Sequence, residues 1–406
     1  MIKFIGKLKP FQEEGLVFAK LNPYHINNFQ AGLGKTITSL AMACHVGEKT
    51  LIICPAFLKN NWIKEIDKFT EGLDYKIVSY ASLKNVDNFQ DYGMIIADEV
   101  HALKNKDAKR TDLAHELISI HKPEYFIGLT GTPVSNRVSE FHSLLQLCYY
   151  GDHYPQFKPF YKLYHKFCNY FSFERTFEVN GFPIQRYDGI RKRRIPELQA
   201  LIKPILIRRR ADQVLDLPEE VETEIVGTSK KYDEQLKEAL KLFKADPADP
   251  AYMSIKSANA LAKVDTTIKL AKELIEQGNR PLIFTCHRES AKVLSEKLKC
   301  LKIDGSVQAD KRQQIIDKFN SGESKALVAT IGSAATGFNI TSTNYTIFND
   351  IDFTPEKLEQ AKKRTLRMGQ DKTCFYYYIF TSEVDKNLKE MVERKEKDIN
   401  LIFEGV

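Results

Sequence analysis

The sequence lacks any long hydrophobic run. No apolar stretch among its 406 residues approaches the ~18 residues that a membrane-spanning helix needs. The amino-terminal stretch MIKFIGKLKPFQ has lysines at positions 3 and 7, and its apolar part is too short for a secretory signal. We therefore expect a cytoplasmic protein, in the cytosol of a bacterium or of the host of a virus, or a nuclear protein in a eukaryote.

Paired cysteines are also missing. The sequence contains seven cysteines, no two of them have CxxC spacing, and no Cys/His cluster resembles a zinc site. We expect these cysteines to be reduced and to pack as small hydrophobic residues. They are Cys44, Cys54, Cys148, Cys168, Cys286, Cys300 and Cys374.

A strong excess of one charge is absent, but the basic residues are unevenly distributed. The net charge is +7, from 60 lysines and arginines against 53 acids, which is a weak indication of a polyanionic partner. Residues 191–210 carry eight basic residues against one acid, Glu197. Such a run is either a solvated face or a nucleic-acid-binding surface, and its charge alone leaves both interpretations open.

The hydrophobic pattern predicts an α/β protein with two lobes. The composition is that of a packed globular chain, with 43% apolar residues and room for two or three domains. Short β-branched runs end in turns and alternate with helical stretches, as in parallel sheets with crossover helices. The predicted strands lie within 50–56, 92–99, 125–133, 281–287, 325–330 and 345–350, and two predicted helices lie at 291–300 and 311–320.

A different composition separates the two lobes. Residues 149–173 are rich in aromatics, and Phe160, Tyr164, Phe167 and Phe171 fall at helical spacing. Interleaved lysines would suit base stacking, but an aromatic core in a helical insertion is the favoured interpretation. We predict a first lobe at 1–148, a helical, aromatic and basic linker at 149–225, and a second lobe at 226–406.

A glycine-containing loop predicts phosphate binding. In Ala31–Thr36, AGLGKT, the glycines let consecutive backbone N–H groups face an anion. Lys35 is then expected to reach the β- and γ-phosphates, and Thr36 to ligate Mg²⁺. The strict P-loop pattern has a further glycine at the position of Phe29, so this signal needs support from elsewhere in the chain.

That support comes from two adjacent carboxylates. Residues 94–101, MIIADEVH, place Asp98 and Glu99 directly after a hydrophobic run. Asp98 would hold Mg²⁺ through water, and Glu99 would orient and deprotonate the attacking water. Together with the glycine loop, this pair makes phosphoanhydride hydrolysis the leading interpretation.

At this point the chain resembles superfamily-two helicases. AGLGKT, DEVH (98–101) and LTGTP (129–133) resemble their motifs I, II and III, and Lys9–Gln12 resembles the Q-motif. Residues 51–62 resemble motif Ia. In the second half, similar segments are 281–287 (motif IV), Gly305 with Arg312 and Phe319, 330–341 (motif V) and 360–370 (motif VI).

Finer features resemble the Swi/Snf branch of that superfamily. These are Ala102–Asn105 after the DEVH box, Val134–Asn136 after LTGTP, and the stretch from Pro204 to Pro218. The resemblance covers nearly the whole chain, and it is greatest to compact motors of the annealing-helicase type. It implies two RecA-like lobes and ATP hydrolysis with Mg²⁺.

The resemblance also implies the site residues. Arg364 and Arg367 are spaced to share one helical face, from which they would stabilise charge on the γ-phosphate. The implied catalytic residues are Lys35, Asp98, Glu99, Gln360, Arg364 and Arg367. The implied nucleotide-binding residues are Gln12, Gly32, Leu33, Gly34, Lys35, Thr36 and Gly337, with Thr36 and Asp98 at Mg²⁺. The implied nucleic-acid contacts are Pro55, Lys59, Ser82, Lys84, Arg208, Arg209, Arg312 and Thr330.

The expected function is an ATP-dependent DNA translocase. It would hydrolyse ATP on DNA, move along duplex, or remodel branched and forked DNA in replication, recombination or repair, with little sequence specificity. No membrane partner is expected, and protein partners are not indicated. Two alternatives stay open: a strand-separating helicase on DNA or, less in keeping with the sequence, RNA, and a catalytically weak DNA-binding regulator.

Overall fold

The computed structural model describes residues 2–86, 89–134, 137–149, 163–179, 182–227, 251–334, 340, 342–352, 354–366, 369–381 and 383–405. The chain divides into two compact units. The first contains Met1–Thr176, Gln185–Leu215 and Lys397–Val406, and the second contains Phe177–Ile184 and Asp216–Glu396. No helix among the described residues is long and apolar enough to cross a membrane.

The first unit is built on a six-stranded parallel sheet. In chain order its strands are β2 (Tyr24–Phe29), β3 (Thr50–Cys54), β5 (Tyr75–Ser79), β6 (Met94–Asp98), β7 (Tyr125–Leu129) and β10 (Leu206–Arg209). Their order in the sheet is β10-β2-β7-β6-β3-β5. Because every pairing is parallel, the loops that follow these strands emerge at one edge of the sheet.

Helices cover both faces of this sheet. Leu51 and Ile53 of β3 belong to one hydrophobic core, and the alternate residues Ile52 and Cys54 belong to another. Burial on both faces explains why the central strands are continuous apolar runs. The helices are α1 (Pro10–Leu21), α2 (Lys35–Val46), α3 (Lys59–Phe69), α4 (Lys109–His121), α5 (Phe141–Cys148), α6 (Tyr164–Phe171), α7 (Ile195–Ile202) and α8 (Ala211–Val214). Strands β1 (Lys3–Phe4) and β4 (Thr70–Glu71) form a small antiparallel pair.

Strand β2 is buried although it is polar. Asn28 donates a hydrogen bond to the carbonyl of Thr130, 2.9 Å away, so its amide is satisfied inside the protein. The His25 ring is 1% exposed, donates through Nδ1 to the carbonyl of Asn22 at 2.8 Å, and packs edge-on against Phe18. Burial lowers the pKa of His25 to about 4, so this histidine is neutral at physiological pH.

The second unit repeats the architecture. Its strands are β11 (Glu220–Val226), β12 (Leu282–Thr285), β13 (Leu301–Ile303), β14 (Leu327–Thr330), β15 (Tyr345–Phe348) and β16 (Cys374–Phe380), in the parallel order β11-β16-β15-β12-β14-β13. Its helices are α9 (Ala251–Ala262), α10 (Val264–Glu276), α11 (Arg288–Leu298), α12 (Ala309–Ser321), α13 (Ile331–Ala334), α14 (Pro355–Lys362) and α15 (Glu383–Phe403), and the residues of α15 from Lys397 onward belong to the first unit.

A buried ion pair lies in the second unit. Lys263 and Asp385 are 1% and 2% exposed, and the lysine ammonium donates to the carboxylate. Asn259 donates to the same carboxylate at 2.7 Å, and the backbone N–H of Thr381 donates to it at 2.8 Å. The Asp385 carboxylate therefore accepts hydrogen bonds from three donors, and a buried charge needs such partners to offset the loss of water.

The segment predicted as a separate linker is divided between the units. Of its described residues, α6, α7 and β10 belong to the first unit, whereas β11 belongs to the second. Leu198, Ile202 and Leu206, from inside the basic run, are buried in the core of the first unit. Strand β10 pairs with β2 at the edge of the first sheet. The apolar residues between the two groups of arginines therefore decide where this segment folds. The remaining strands of the segment, β8 (Phe173–Val179) and β9 (Phe182–Asp188), pair with each other.

Candidate nucleotide site and nucleic-acid-binding segments

The glycine loop joins β2 to α2 and requires glycine at two positions. Gly32 and Gly34 have φ values of 84° and 79°, in the left-handed region that favours glycine. A Cβ on Gly34 would overlap the side-chain amide of Gln12. Gly34 caps α2, and no side chain caps this helix. The first N–H groups of α2, at Lys35 and Thr36, are therefore available to an anion at a helix amino terminus.

Gln12 connects α1 to this loop. Its side chain is 6% exposed; Nε2 donates to the carbonyl of Leu33 at 2.9 Å, and Oε1 accepts the N–H of Lys9 at 2.9 Å. These bonds use half of the hydrogen-bonding capacity of the amide, which has two N–H groups and two acceptor lone pairs. The predicted adenine-reading residue is thus held in place beside the loop.

Lys35 lies among groups from three separate segments. Its Nζ donates to the carbonyl of Phe29 at 2.9 Å, and a Cβ on Gly131 of the LTGTP segment would lie 3.9 Å from it. Burial lowers the pKa of Lys35, and the charges of Glu99 and then Asp98 oppose that shift. The loop, the acidic pair and LTGTP therefore meet at this ammonium group.

Asp98 ends β6 and is held by three groups. Its Oδ2 accepts the indole N–H of Trp62 at 2.8 Å, and its Oδ1 accepts the N–H of Glu99 at 2.9 Å. The hydroxyl of Tyr80 donates to the backbone carbonyl of Asp98 at 2.7 Å. Burial, and then the neighbouring charge of Glu99, raise the pKa of Asp98 to about 6. A bound cation would stabilise the charged carboxylate and lower this pKa.

Sequence reasoning missed the role of Trp62. The residue is 1% exposed in α3, and it is the single tryptophan of the chain. A lone tryptophan at the end of the segment that resembles motif Ia was the available signal. Nothing in the sequence indicated that its N–H meets the carboxylate 36 positions further along.

Glu99 has an unusual backbone conformation. Its φ is 52°, in the left-handed region that side chains other than glycine seldom adopt, and such strain occurs preferentially at functional sites. Its carboxylate lies 3.2 Å from Nδ1 of His101, and the same nitrogen lies 3.1 Å from Oγ1 of Thr130. The DEVH box and the LTGTP segment are thereby linked through side chains.

The donor set fits a magnesium–nucleotide complex. A hydroxyl at Thr36 and a carboxylate at Asp98 are oxygen ligands of the kind that Mg²⁺ prefers, with few protein ligands because phosphates and waters supply the rest. Among the described residues, no group of three or more His, Cys, Asp or Glu residues could hold a metal ion.

Four of the predicted nucleic-acid contacts of the first unit lie in two segments that adjoin Asp98. Pro55 precedes a short 3₁₀ turn, Ala56–Leu58, and Lys59 begins α3, the helix that carries Trp62. Ser82 and the exposed Lys84 lie on the 3₁₀ helix Tyr80–Asn85, and the Ser82 hydroxyl bonds the side chain of Ser79 at 2.8 Å. Each segment therefore includes one residue that hydrogen-bonds Asp98.

Arg208 and Arg209 have protein partners. Nε and Nη2 of Arg209 donate to the carboxylate of Glu14 in α1, at 3.2 and 2.5 Å. The guanidinium of Arg208 lies 5.1 Å from the ring centre of Phe403 and donates to Asn400 at 3.3 Å. Burial lowers the pKa of Arg208 to about 10. These contacts give both residues a part in holding the first unit together, and their contact with nucleic acid stays a prediction.

The second unit carries Arg312 and Thr330. Arg312, in α12, donates through Nε to the carbonyl of Val307 at 2.7 Å. Thr330 ends β14, is buried, and accepts the hydroxyl of Ser333 on its carbonyl at 2.6 Å. Gly337 lies outside the described residues.

Arg364 does not lie on a helix. Helix α14 ends at Lys362, and Arg364 lies in the turn that follows, where the Thr365 hydroxyl donates to the carbonyl of Lys362 at 3.1 Å. The argument from helical spacing was therefore wrong for Arg364, because the helix ends two residues before it. Arg367 lies outside the described residues. Gln360 is inside α14 and donates to Glu356 at 3.0 Å.

Two parallel α/β units, the first with a glycine loop and an acidic pair at one edge of its sheet, define a P-loop nucleotide-binding protein with two RecA-like lobes. The predicted fold class is thus confirmed. The chain belongs to the SNF2 family, since the SNF2-related domain matches residues 74–277 and the helicase conserved C-terminal domain matches residues 262–369.

Curated relatives match over nearly the whole chain. The mouse (Mus musculus) protein named DNA annealing helicase and endonuclease ZRANB3 is 25% identical over 97% of this chain and 40% of its own length. A Caenorhabditis elegans homologue of SWI/SNF-related matrix-associated actin-dependent regulator of chromatin subfamily A-like protein 1 is 27% identical over 96% of this chain and 61% of its own length. The putative ATP-dependent helicase/translocase YwqA of Bacillus subtilis is 25% identical over 97% and 48%. This chain therefore spans less than two thirds of each relative.

Among solved structures, the Sulfolobus solfataricus SWI2/SNF2 ATPase core in complex with dsDNA is 21% identical. Its TM-score is 0.44, and the match covers 99% of this chain and 94% of that one.

Proposed function

We propose that this protein is an ATP-dependent DNA translocase of the Swi/Snf type. It hydrolyses ATP when bound to DNA, moves along duplex without reading its sequence, and remodels branched or forked DNA in replication, recombination or repair. Family membership supports ATP use and DNA as the partner. The observation that carries the proposal is the position of Lys35: its half-buried ammonium group bonds the carbonyl of Phe29, interacts with the charges of Glu99 and Asp98, and follows a loop whose glycines have positive φ.

The first unit would bind the nucleotide. Gly32, Leu33 and Gly34 would cradle the phosphates with backbone N–H groups, and Lys35 would neutralise their charge. Thr36 and Asp98 would hold Mg²⁺, which supplies positive charge at the phosphates. Gln12 would hydrogen-bond the adenine edge with the half of its amide capacity that the protein leaves open. Glu99 would orient and deprotonate the attacking water.

Residues of the second unit would complete hydrolysis. Arg364 and Arg367 are proposed to stabilise charge that develops on the γ-phosphate, with Gln360 and Gly337 beside them. Since Arg364 lies in a turn rather than on a helical face, its position depends on the residues that follow α14.

DNA would contact both units through its phosphates. Pro55, Lys59, Ser82 and Lys84 are proposed contacts in the first unit, and Arg312 and Thr330 in the second. Contacts of this kind track a strand without specifying sequence. Trp62 and Tyr80 support a link from these first-unit segments to the acidic pair, because each hydrogen-bonds Asp98. Arg208 and Arg209 are weaker candidates, because they have protein partners.

Branched or forked DNA is the finer part of the proposal. The mouse relative is named an annealing helicase and matches 97% of this chain, which favours remodelling of branches over strand separation. Strand displacement on a fork distinguishes the two: a translocase of the proposed type leaves a simple fork unseparated and regresses a replication-fork substrate.

The test is the ATPase rate with no nucleic acid, single-stranded DNA, duplex, forked DNA and RNA, measured in parallel. We expect strong stimulation by duplex or forked DNA. Lys35→Ala should abolish turnover and leave DNA affinity within about twofold, since the residue is proposed to bind phosphate of the nucleotide and not the DNA. The matched control is Lys292→Ala, at a lysine that is 66% exposed on α11 of the second unit. Normal hydrolysis by Lys35→Ala would show that the site assignment is wrong.

A further inference from the structure

We propose that Phe173, Arg191, Lys192 and Arg193 form a second nucleic-acid-binding surface, here called the Phe173 surface, that takes the unpaired bases of a DNA branch. The inference rests on the proposed function and specifies its substrate. All four residues belong to the first unit and lie outside the segments that resemble helicase motifs.

The structure divides the basic run at 191–210 into two parts that differ in their partners. The later arginines are occupied: Arg209 pairs with Glu14, and Arg210 pairs with Asp212 at 2.8 Å. At the start of the run, Lys192 and Arg193 are exposed and make no ion pair with any residue that the structure describes. Positive charge without a protein partner is therefore concentrated at the beginning of the run.

An exposed aromatic ring adjoins these charges. Phe173 is 45% exposed where β8 begins, although phenylalanine is ordinarily buried. The guanidinium carbon of Arg191 lies 4.7 Å from the ring centre. A Cβ placed on Gly189 would stand 3.6 Å from the same ring, so the backbone of that glycine lies close beside it. Ring and guanidinium together offer a flat, positively charged face to solvent.

The backbone holds this face rigidly. Nε of Arg191 donates to the carbonyls of Asn169 and Ser172, at 3.1 and 2.9 Å, and its own N–H donates to the carbonyl of Phe171 at 2.7 Å. Within the described part of the chain, the two terminal nitrogens of Arg191 donate no hydrogen bond. They are therefore positioned and available to a ligand.

Neighbouring groups support the surface from below. The guanidinium of Arg194 lies 4.0 Å from the ring centre of Tyr170, and Tyr170 donates to Glu197 at 2.7 Å. Arg194 also pairs with Glu197 at 3.4 Å. Glu197, the single acid of the run, thus binds Arg194 and Tyr170 and makes no ion pair with Lys192 or Arg193.

This combination fits single-stranded DNA. An exposed aromatic ring with an adjacent guanidinium stacks a base, and free lysine and arginine side chains bind the phosphates on either side. In a duplex the bases are stacked on one another, so no base face is available to stack on the Phe173 ring. An acidic protein segment would use the charges but would gain little from the ring. The Phe173 surface therefore selects DNA with unpaired bases, as at a fork.

The test compares labelled fork, single strand and blunt duplex of equal length. Phe173→Ala should weaken binding of the fork and single strand about tenfold, or about 1.4 kcal/mol, and of the duplex by less than twofold. The double variant Lys192→Ala/Arg193→Ala should reduce the slope of log affinity against log salt for the single strand by about 1.4, the value for two lost phosphate contacts. Lys292→Ala is the control, and circular dichroism verifies that each variant is folded.

The outcomes separate this inference from the proposed function. If the wild-type ATPase responds to DNA and Phe173→Ala binds the fork as tightly as wild type, the Phe173 surface is refuted and the motor is not. Equal losses for fork and duplex would also refute it, since they would indicate a general electrostatic contact. If the wild-type ATPase responds to no DNA, the proposed function itself fails.

Discussion

Removal of the indole N–H that holds Asp98 is the sharpest perturbation of the nucleotide site. Trp62→Phe keeps an aromatic ring in the core but leaves Oδ2 of Asp98 without its 2.8 Å donor. A hydrogen bond to a charged acceptor contributes about 1.5–3 kcal/mol. If the carboxylate must hold its position for hydrolysis, a loss of about 2 kcal/mol lowers kcat about thirtyfold.

The assay is ATP hydrolysis at saturating ATP and saturating duplex DNA. Tyr80→Phe removes the donor to the backbone carbonyl of Asp98 and leaves the hydrogen bonds of its carboxylate intact, so a smaller loss of kcat is expected. Tyr149→Phe is the control for losing a buried hydrogen bond elsewhere in the first unit, because its hydroxyl donates to the carbonyl of Leu201. DNA affinity should change little in all three variants. If Trp62→Phe hydrolyses ATP as fast as wild type, or no slower than Tyr149→Phe, the reasoning about Asp98 is refuted.

Three further predictions concern single groups. Gly34→Ala should abolish nucleotide binding, because at φ 79° its Cβ would overlap the side-chain amide of Gln12. Gly47→Ala is the control: its φ is 75° and nothing lies within 4 Å, so it should only lower the melting temperature by a few degrees. Isothermal titration with a non-hydrolysable ATP analogue and a thermal melt measure the two effects. The free energy of unfolding should fall by about 3 kcal/mol between pH 6.5 and pH 4, because His25, with a pKa of about 4, stays neutral in the folded state while the unfolded state takes up a proton. The urea midpoint, followed by the emission of the single tryptophan, should depend less on pH in His25→Gln. Lys263→Met should destabilise the second unit by about 3–5 kcal/mol, because it leaves Asp385 buried without its cation. In a calorimetric scan, Lys263→Met/Asp385→Leu should recover most of that stability. If the double variant is as unstable as the single one, packing and not charge is responsible.

The strands that the sequence predicted are those whose side chains are apolar on both faces. β3, β6, β7, β12, β14 and β15 all lie within predicted segments, because burial of a parallel strand on both faces leaves a continuous hydrophobic run. Strand β2 was missed because its polar side chains are buried through hydrogen bonds instead. His25 and Asn27 bond backbone groups close in sequence, whereas Asn28 bonds the carbonyl of Thr130, 102 positions away.

The linker was harder to predict because local charge concealed its packing. Strand β10 has the sequence LIRR, and its neighbours made it resemble a solvated basic segment. Its pairing with β2 depends on an open sheet edge that no local pattern reveals. The same holds for Arg208 and Arg209, whose protein partners lie 192 and 195 positions away.

The candidate site could be predicted in its parts but not in its connections. The spacing of AGLGKT and DEVH indicated Lys35 and Asp98, and parallel topology brings both to one edge of the sheet. The hydrogen bonds from Trp62 and Tyr80 were not predictable, because buried tryptophan and tyrosine side chains are ordinary core residues. Spacing alone also did not indicate that α14 ends at Lys362, before Arg364.

The course of the chain through the two units has a consequence for synthesis on the ribosome. The second unit is an insertion in the first, because Ile402 and Phe403 return to the first unit's core, where the Phe403 ring packs 6.0 Å from that of Phe141. At about 5–20 residues per second, the interval between Leu215 and these last core residues is on the order of 10–40 s. During that time the second unit is being synthesised, and the first unit still exposes the apolar surface around Phe141. Apolar surface that stays exposed on a nascent chain is prone to aggregation, which chaperones counter. A substitution at Phe403 would therefore disturb the nucleotide-binding unit rather than the second unit.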